Sequence, residues 1–424
     1  MSVLSRPGAP PARHGVASGA RVPDRVPDLA PDRAPHIATL VAAAAVGALA
    51  TTMFVPSMPS IAADLGASYA SVQVGLSGFL VVTALVQLAS GPMSDFWGRR
   101  PVLMGSLVVY LVGSIMCVAA SGIEWFLAGR LLQGAAAAGI VLSRTIIRDL
   151  YGRDRAASMI GYTVMAMAVA PMIGPWLGGL IDEAVGWRGT FVFLGVAGAL
   201  TLVAFAFDLR ETNRTLGRPV GEQIDAYRAL LGAPAFWVFA ATGAFTGATF
   251  YGFLGAAPLI SSELLSMGPS DYGRWFAFCA AGYMGGNFLS GRFAERVGLG
   301  RMVVLGSLVT LTGPLAMAIA FHLGALHPFS LFGWSALVGV GNGMVLPSNI
   351  AAAISIRPDA AGASSGLLGT LQTLAGAAAA VATAWIVGDG TRAVPFALAI
   401  AAFAFGAFAF ALLSARLIRA GDGG

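Results

Sequence analysis

Residues 91–101 read GPMSDFWGRRP and place an aspartate and two adjacent arginines between two long apolar segments. Only 11% of the 424 residues are charged, whereas 57% are hydrophobic and the mean hydropathy is +0.78. Such a composition is unlike that of a water-soluble protein and indicates a membrane protein. What the charged stretch does therefore depends on the segments that flank it.

Twelve apolar segments are long enough to cross the roughly 30 Å of membrane hydrocarbon, which takes roughly 20 helical residues. They lie at about 37–56, 72–92, 101–121, 125–147, 158–181, 190–208, 235–259, 274–294, 302–322, 329–350, 364–387 and 394–415. They lack the alternation and the short length of barrel strands, so helices are expected. The sequence predicts an all-α membrane protein with twelve transmembrane helices.

A degenerate internal repeat divides the chain into two halves. The stretch at 91–98 recurs at 291–298, and GSLV at 105–108 recurs at 306–309. Repeats of this kind predict two pseudo-symmetric six-helix halves of parallel topology, with a substrate site at their interface near the membrane midplane. The expected divisions are a disordered cytoplasmic tail at 1–36, bundles at 37–208 and 234–415, a cytoplasmic linker at 209–233 and a second cytoplasmic tail at 416–424.

The distribution of arginine predicts the orientation. If the N-terminus is cytoplasmic, most arginines outside the tail fall on that side, and only Arg188, Arg274 and Arg392 fall on the other. This asymmetry follows the positive-inside rule, so both termini are expected in the cytoplasm of a bacterial-type inner membrane. It also explains the net charge of +5 without a nucleic-acid partner.

Catalytic and cofactor signals are not found in the sequence. We find no phosphate-binding GxxxxGK[ST] motif, no metal-ligand spacing and no nucleophile constellation. Cys117 and Cys279 lie far apart inside apolar segments, as small packing residues do. We therefore expect no enzyme, no cofactor and no metal.

The opening stretch falls between helices 2 and 3, on the predicted cytoplasmic loop. There its pattern G-x-x-x-D-x-x-G-R-R resembles the signature loop of the major facilitator superfamily. The resemblance implies a gate that holds the cytoplasmic ends of the halves together in the outward-facing state, with Asp95 facing a helix N-terminus and pairing with arginine. The implied gating residues are Gly91, Asp95, Gly98, Arg99 and Arg100. The alternative, a solvated turn, explains only the arginines.

A second stretch, APMIGPWLGG at 170–179, resembles the antiporter signature of exporters in that superfamily. Its implied residues are Pro171, Gly174, Pro175, Gly178 and Gly179, which predict a kinked helix with a closely packing face. Together with VPSMPSIAADLG at 55–66 and IIRDLY at 146–151, the chain resembles the bicyclomycin and chloramphenicol resistance (Bcr/CflA) branch of drug:proton antiporters. This resemblance covers about residues 37–415.

Candidate substrate and coupling residues lie inside the predicted spans. They are Arg130, Thr52, Phe54, Tyr251 and Asn342. An arginine within an apolar span is a functional candidate by default, and the alternative is that its side chain snorkels from a helix end.

Members of the branch usually carry an aspartate where this chain has Thr52. No acidic residue lies inside a predicted span, so proton coupling would fall to acids at span ends paired with Arg130 or Arg144, and the alternative is an exporter driven partly by the substrate gradient. The candidate acids are Glu124, Asp149 and Asp182. A neutral, zwitterionic or mildly anionic amphiphile fits better than a permanent cation.

The predicted function is export of small amphipathic drugs or toxic metabolites by alternating access, in exchange for protons. Two alternatives stay open at this point. One is an exporter of the same fold that is specific for a metabolite or an amino acid, and the other is a transporter-like scaffold or receptor without transport. The expected partners are a small-molecule substrate, protons and the lipid bilayer.

Overall fold

The computed structural model describes residues 35–151, 153–213, 221–356 and 361–422. Within these ranges the secondary structure is helical and contains no strand. The helices of the N-terminal half are α1 (Ile37–Thr52), α2 (Met58–Asp64), α3 (Tyr69–Trp97), α4 (Arg99–Val118), α5 (Ile123–Gln133), α6 (Ala137–Leu150), α7 (Arg153–Val185) and α8 (Trp187–Asp208). Those that follow are α9 (Gly221–Leu231), α10 (Pro234–Glu263), α11 (Pro269–Val297), α12 (Leu299–His322), α13 (Pro328–Ile356), α14 (Ala361–Val387) and α15 (Ala393–Asp422).

These helices form the twelve predicted spans. The first span consists of α1 and α2 joined by the 3-10 turn Val55–Ser57, and the fourth of α5 and α6 joined by the turn Gly134–Ala136. Among the described residues, ten helical segments are long and apolar enough to cross a membrane. The other two spans, α7 and α11, are 33 and 29 residues long and pack against each other across the two halves.

The ends of several elements differ from the sequence expectation. The prediction of a loop at 91–101 is wrong. Helix α3 continues to Trp97 and α4 begins at Arg99, so Gly98 alone forms the turn. Gly98 has φ +104°, and Gly298 of the second repeat has φ +88° at the matching turn. Glycine adopts this backbone region without strain, so both copies of the repeat make the same one-residue reversal.

Two segments of the expected divisions are more helical than predicted. The linker contains the helix α9, and α15 continues to Asp422 through most of the predicted second tail. The predicted tail at 1–36 falls outside the described residues up to position 34.

We call the side of the bundle that holds the start of α1 and the end of α15 the termini face, and the other side the far face. The largest buried cluster lies toward the far face and contains side chains of both halves, such as Phe54, Phe126, Phe253 and Tyr272. A separate cluster toward the termini face belongs to the N-terminal half alone and includes Phe205. Among the described residues, the largest hydrophobic core shared by the two halves therefore lies at the far face, and toward the termini face Leu88 of α3 packs against a smaller cluster of the C-terminal half.

The distance between α3 of one half and α14 of the other also increases toward the termini face. Near mid-membrane the hydroxyl of Thr370 contacts the Ala84 carbonyl oxygen at 3.5 Å. A Cβ on Gly369 would lie 4.0 Å from the Gln87 side chain, whereas one on Gly366 or Gly362 would meet nothing within 4 Å. The halves therefore separate toward the termini face.

Candidate functional site

Arg130 lies on α5 inside the N-terminal half, and its side chain is fully buried. Its guanidinium donates to the Gln133 side-chain oxygen at 2.5 Å, to the Ala50 carbonyl at 3.1 Å and to the Gly75 carbonyl at 3.4 Å. Ala50 is in the last turn of α1, where carbonyl groups lack a partner further along the helix. Arg130 therefore satisfies the backbone at the break between α1 and α2.

Aromatic rings complete the surroundings of this cation. The guanidinium carbon lies 3.9 Å from the ring centre of Phe54 and 4.5 Å from that of Phe79. Such contacts stabilise a desolvated cation that has no carboxylate beside it. The snorkelling alternative for Arg130 is wrong, because the side chain ends among the helices rather than at a membrane surface.

A polar chain continues from Arg130 to two further helices. The Gln133 side-chain amide donates to the Ser114 hydroxyl on α4 at 2.8 Å, and the Tyr110 hydroxyl, one turn earlier, donates to the Leu194 carbonyl on α8 at 3.0 Å. Buried polar groups connected in this way specify one arrangement of the helices that carry them. Arg130 is thus a positioning residue for the N-terminal half.

The other substrate and coupling candidates lie in separate places. Thr52 is buried, with its hydroxyl 3.5 Å from the Ala48 carbonyl oxygen, and Phe54 lies below the Arg130 guanidinium. In the C-terminal half, Asn342 bonds to Thr246, Thr249 and Thr310 and so ties α13 to α10 and α12. Tyr251 packs its ring over Gly376 of α14. The structure therefore brings Arg130, Thr52 and Phe54 together and leaves Tyr251 and Asn342 in the other half.

The glycines of the stretch at 170–179 allow α7 to approach α1 closely. A Cβ on Gly174 would lie 2.8 Å from the Thr52 hydroxyl oxygen, and one on Gly178 would overlap the Met53 carbonyl oxygen. Pro171 lies in α7, but its side chain falls outside the described residues. One face of this stretch is therefore packed within the N-terminal half, at the break that Arg130 supports.

Another face of the same stretch makes the contact between the halves. A Cβ on Gly179 would overlap the Pro269 carbonyl oxygen, and one on Gly273 of α11 would lie 2.5 Å from the Pro175 carbonyl oxygen. At the far-face end of α7, the Glu183 carboxylate accepts the Ser270 N–H at 3.0 Å. Ser270 lies in the first turn of α11, so the carboxylate caps a helix N-terminus of the other half.

The charged stretch at residues 91–101 forms a cluster at the termini face. Arg99 is buried and donates to Asp95 at 2.5 Å, to the Ser94 hydroxyl at 2.6 Å and to Asp149 on α6 at 3.0 Å. Arg100 donates through its side chain to the Ala206 carbonyl at 3.1 Å. Gly91 lies inside α3, and its carbonyl oxygen accepts the Ser94 hydroxyl at 2.9 Å. The described contacts of this cluster come from the N-terminal half and from the start of the linker, where Thr212 contacts Asp149 and Asn213 donates to the Asp95 carbonyl.

Glu211 completes the cluster, and it was not among the residues singled out from the sequence. Its carboxylate accepts the backbone N–H groups of Arg99 at 2.9 Å and Arg100 at 3.1 Å and so caps α4. A side chain on Gly98 would collide with this carboxylate. Position 98 thus requires glycine for its positive φ and for the approach of Glu211. In the sequence, the only signal for this role of Glu211 was its position as an acidic residue just after the sixth span.

The three carboxylates considered for proton coupling do not pair with either membrane arginine. Asp149 binds Arg99, and Asp182 on α7 accepts the Ser60 hydroxyl at 2.7 Å. Glu124 is exposed in the first turn of α5. Asp182 is 9% exposed and is the one carboxylate classed as buried in the described ranges. It lies at the same far-face end of α7 as Glu183.

Replacing Arg99 by glutamine should destabilise the folded protein by about 2–3 kcal/mol, because Asp95 and Asp149 would face each other without their cation. Thermal unfolding in detergent, followed by circular dichroism, measures this change. Arg100→Gln is the matched control, because its guanidinium has no carboxylate partner among the described contacts. The double variant Arg99→Gln/Asp149→Asn should regain part of the loss; an Arg99→Gln protein as stable as Arg100→Gln would contradict the assignment.

Comparison with known proteins gives a consistent set of relatives. The sequence model of the Major Facilitator Superfamily matches residues 40–380. Multidrug resistance protein D of Escherichia coli (strain K12) is 28% identical over 349 residues, which cover 79% of this chain and 84% of that protein. Chloramphenicol resistance protein of Pseudomonas aeruginosa is 29% identical over 321 residues, covering 74% of each chain. These relatives fit the Bcr/CflA branch indicated by the sequence.

Solved structures share the fold. A bacterial homologue of the human lysosomal transporter Spinster, crystallised in an inward-facing and unoccupied conformation, superposes with a TM-score of 0.69. The two chains are 17% identical, and the match covers 90% of this chain and 96% of the other. The twelve-helix architecture is therefore that of known transporters.

Proposed function

This chain belongs to the major facilitator superfamily, and on that premise we propose that it exports small amphipathic molecules from the cytoplasm by alternating access. The observation that carries the proposal is the one-sided contact between the halves. Their largest shared core lies at the far face, where α7 packs against α11, whereas toward the termini face each half has its own cluster and Leu88 of α3 is the described residue of one half that packs against the cluster of the other. A bundle in this state admits a molecule from the termini side and excludes the other side.

The termini face is the cytoplasmic one in this proposal. The arginine-rich ends of the helices, including Arg99, Arg100 and Arg148, lie there, as the positive-inside rule requires for a cytoplasmic surface. The structure then corresponds to an inward-facing state. Export would proceed by closing the cytoplasmic side around a bound molecule and opening the far face.

The substrate class rests on the relatives and on the membrane interior. The printed names of two relatives are a multidrug and a chloramphenicol resistance protein, which supports drug-like molecules as cargo. The spans of this chain carry no acid near mid-membrane to attract a permanent cation. Neutral, zwitterionic or anionic amphiphiles are therefore the proposed cargo.

The charge cluster around Arg99 is proposed to act in the opposite half of the cycle. In this inward-facing state its described contacts lie within the N-terminal half and the adjoining linker residues 211–213. When the cytoplasmic side closes, the end of α3 approaches α14, and Asp95 can then exchange its partner for the N-terminal end of that helix. The cluster would stabilise the outward-facing state by this exchange.

Proton exchange is proposed to use Asp182. This carboxylate is buried beside the α7–α11 contact, so its protonation state and the closure of the far face can depend on each other. Replacing Asp182 by asparagine should make export insensitive to a protonophore or abolish it, while Glu124→Asn, at an exposed position on the same face, should behave as wild type.

The proposal is tested by uptake of chloramphenicol and of a cationic dye into everted membrane vesicles, with and without a protonophore. We expect chloramphenicol uptake that the protonophore suppresses and weaker uptake of the dye. Uptake that survives the protonophore would contradict proton exchange but not export. If vesicles with the protein take up no more of either probe than vesicles without it, drug export is contradicted and a dedicated metabolite exporter or a scaffold is favoured.

A further inference from the structure

Arg144 is a second arginine inside the membrane, and its bonding differs from that of Arg130. It is the eighth residue of α6, six residues before the helix ends at Leu150, or about 9 Å along the axis. Its Nη2 atom lies 3.3 Å from the Met167 sulfur on α7, and its Nε atom is buried with no partner. Thioether sulfur is a weak acceptor, so this guanidinium keeps unused donors.

The direction in which Arg144 points follows from the helix period. Leu142 and Ile146 pack into the core of the N-terminal half, and Arg144 is two residues from each, which places it on the opposite side of α6. That helix packs against α1, α3, α4 and α7, which all belong to the same half. The side with Arg144 therefore lies away from the core of its own half and next to Met167 of α7, and in the proposed inward-facing state we assign it to the space between the halves.

In the part of the chain that the structure describes, no carboxylate is paired with Arg144. Residues 137–148 of α6 and 155–181 of α7 contain no Asp or Glu, and residues 234–262 and 361–387 of the other half contain none either. The helix of the other half that packs against α7 is α11, and its two acids, Asp271 and Glu295, lie near its ends. The acids at the nearest helix ends are engaged, because Asp95 and Asp149 both bind Arg99. A partly buried cation without an acidic partner is costly and is normally kept for a function.

We propose that Arg144 binds the anionic group of the transported molecule, so that this protein favours amphiphiles with a carboxylate or sulfonate over neutral ones. The guanidinium supplies two parallel N–H donors to such a group, as arginine does in anion recognition. The apolar part of the molecule lies against Met167, whose flexible thioether accommodates different shapes. This inference rests on the proposed export function and names its substrate class.

Two dyes that differ in one charge test the inference directly. 8-Anilinonaphthalene-1-sulfonate carries a sulfonate, and N-phenyl-1-naphthylamine has the same rings without it. Binding of each dye is measured by fluorescence on the full-length protein in phosphatidylcholine nanodiscs, with empty nanodiscs subtracted. Wild type should bind the sulfonate more tightly than the neutral dye, and Arg144→Gln should weaken only sulfonate binding, by about tenfold, which corresponds to about 1.4 kcal/mol.

Three controls separate the site from general effects of charge and folding. Arg148→Gln removes an exposed arginine one turn further along α6 and should change sulfonate affinity by less than about twofold, because an exposed charge is screened. Arg144→Lys should keep part of the affinity. Neutral-dye binding by Arg144→Gln shows that the variant is folded.

The possible outcomes distinguish this inference from the function it rests on. Equal binding of the two dyes by wild type, or a preference that persists in Arg144→Gln, would overturn the anion site and leave export intact. Binding of neither dye would contradict the export of amphipathic molecules and the anion site together.

Discussion

Replacing Gly179 by alanine is expected to abolish export while each half of the protein stays folded. The new Cβ would overlap the Pro269 carbonyl oxygen, and backbone at a helix start cannot move aside as a flexible side chain can. Overpacking of this kind costs about 2 kcal/mol, which is roughly a 30-fold shift in an equilibrium. Because this contact joins the halves, the cost falls on the closed far face, and the variant should populate the state that is open there.

The distance between spin labels on Glu124 and Leu326 measures this shift, since these exposed residues lie on the far face in different halves. Gly179→Ala should lengthen the distance, and uptake into everted vesicles should fall to background. Gly285→Ala on α11 is the control, because a Cβ there meets nothing within 4 Å. A Gly179→Ala protein with the wild-type distance would show that α7 and α11 do not form the closure.

The same contact gives a reason for the glycine and proline content of α7. Gly174 and Gly178 fit α7 against the end of α1, whereas Gly179 and Pro175 fit it against α11. One stretch thus links the break in the first span to the seal between the halves.

The sequence predicted the spans well because long apolar segments need no knowledge of their neighbours. It failed at the segment ends, where charged residues continue the helices, as α3 does through Asp95 to Trp97. Because Asp95 is charged and follows an apolar segment, its sequence context alone predicts a loop residue. Only the φ of Gly98 shows that the chain reverses within a single residue.

The partners of the site residues were less predictable. Arg130 binds carbonyl oxygens of Ala50 and Gly75, and backbone acceptors leave no signal in the sequence. Glu211 lies 112 residues from Arg99, the residue whose backbone it caps, and nothing local marks that pair. For the same reason Arg144 looked like a partner for an acid until the structure showed where its donors point.

Replacing Arg130 by lysine is expected to reduce export at least about tenfold although the charge is kept. A single ammonium group cannot bond to Gln133, Ala50 and Gly75 in the geometry of the planar guanidinium, and at least one acceptor would be left without a donor in a dry interior. Each unsatisfied buried acceptor costs about 1–3 kcal/mol. The midpoint of thermal unfolding should therefore fall together with export.

The control for this prediction is Arg274→Lys, which changes an exposed arginine paired with Asp271 within one helix turn. Exposed pairs contribute at most about 1 kcal/mol, so its export and unfolding midpoint should match wild type. If Arg130→Lys also exports normally, positive charge alone suffices at this position. The break between α1 and α2 would then be held by packing of Phe54 and Met53 rather than by the guanidinium, and the role assigned to its three hydrogen bonds would be wrong.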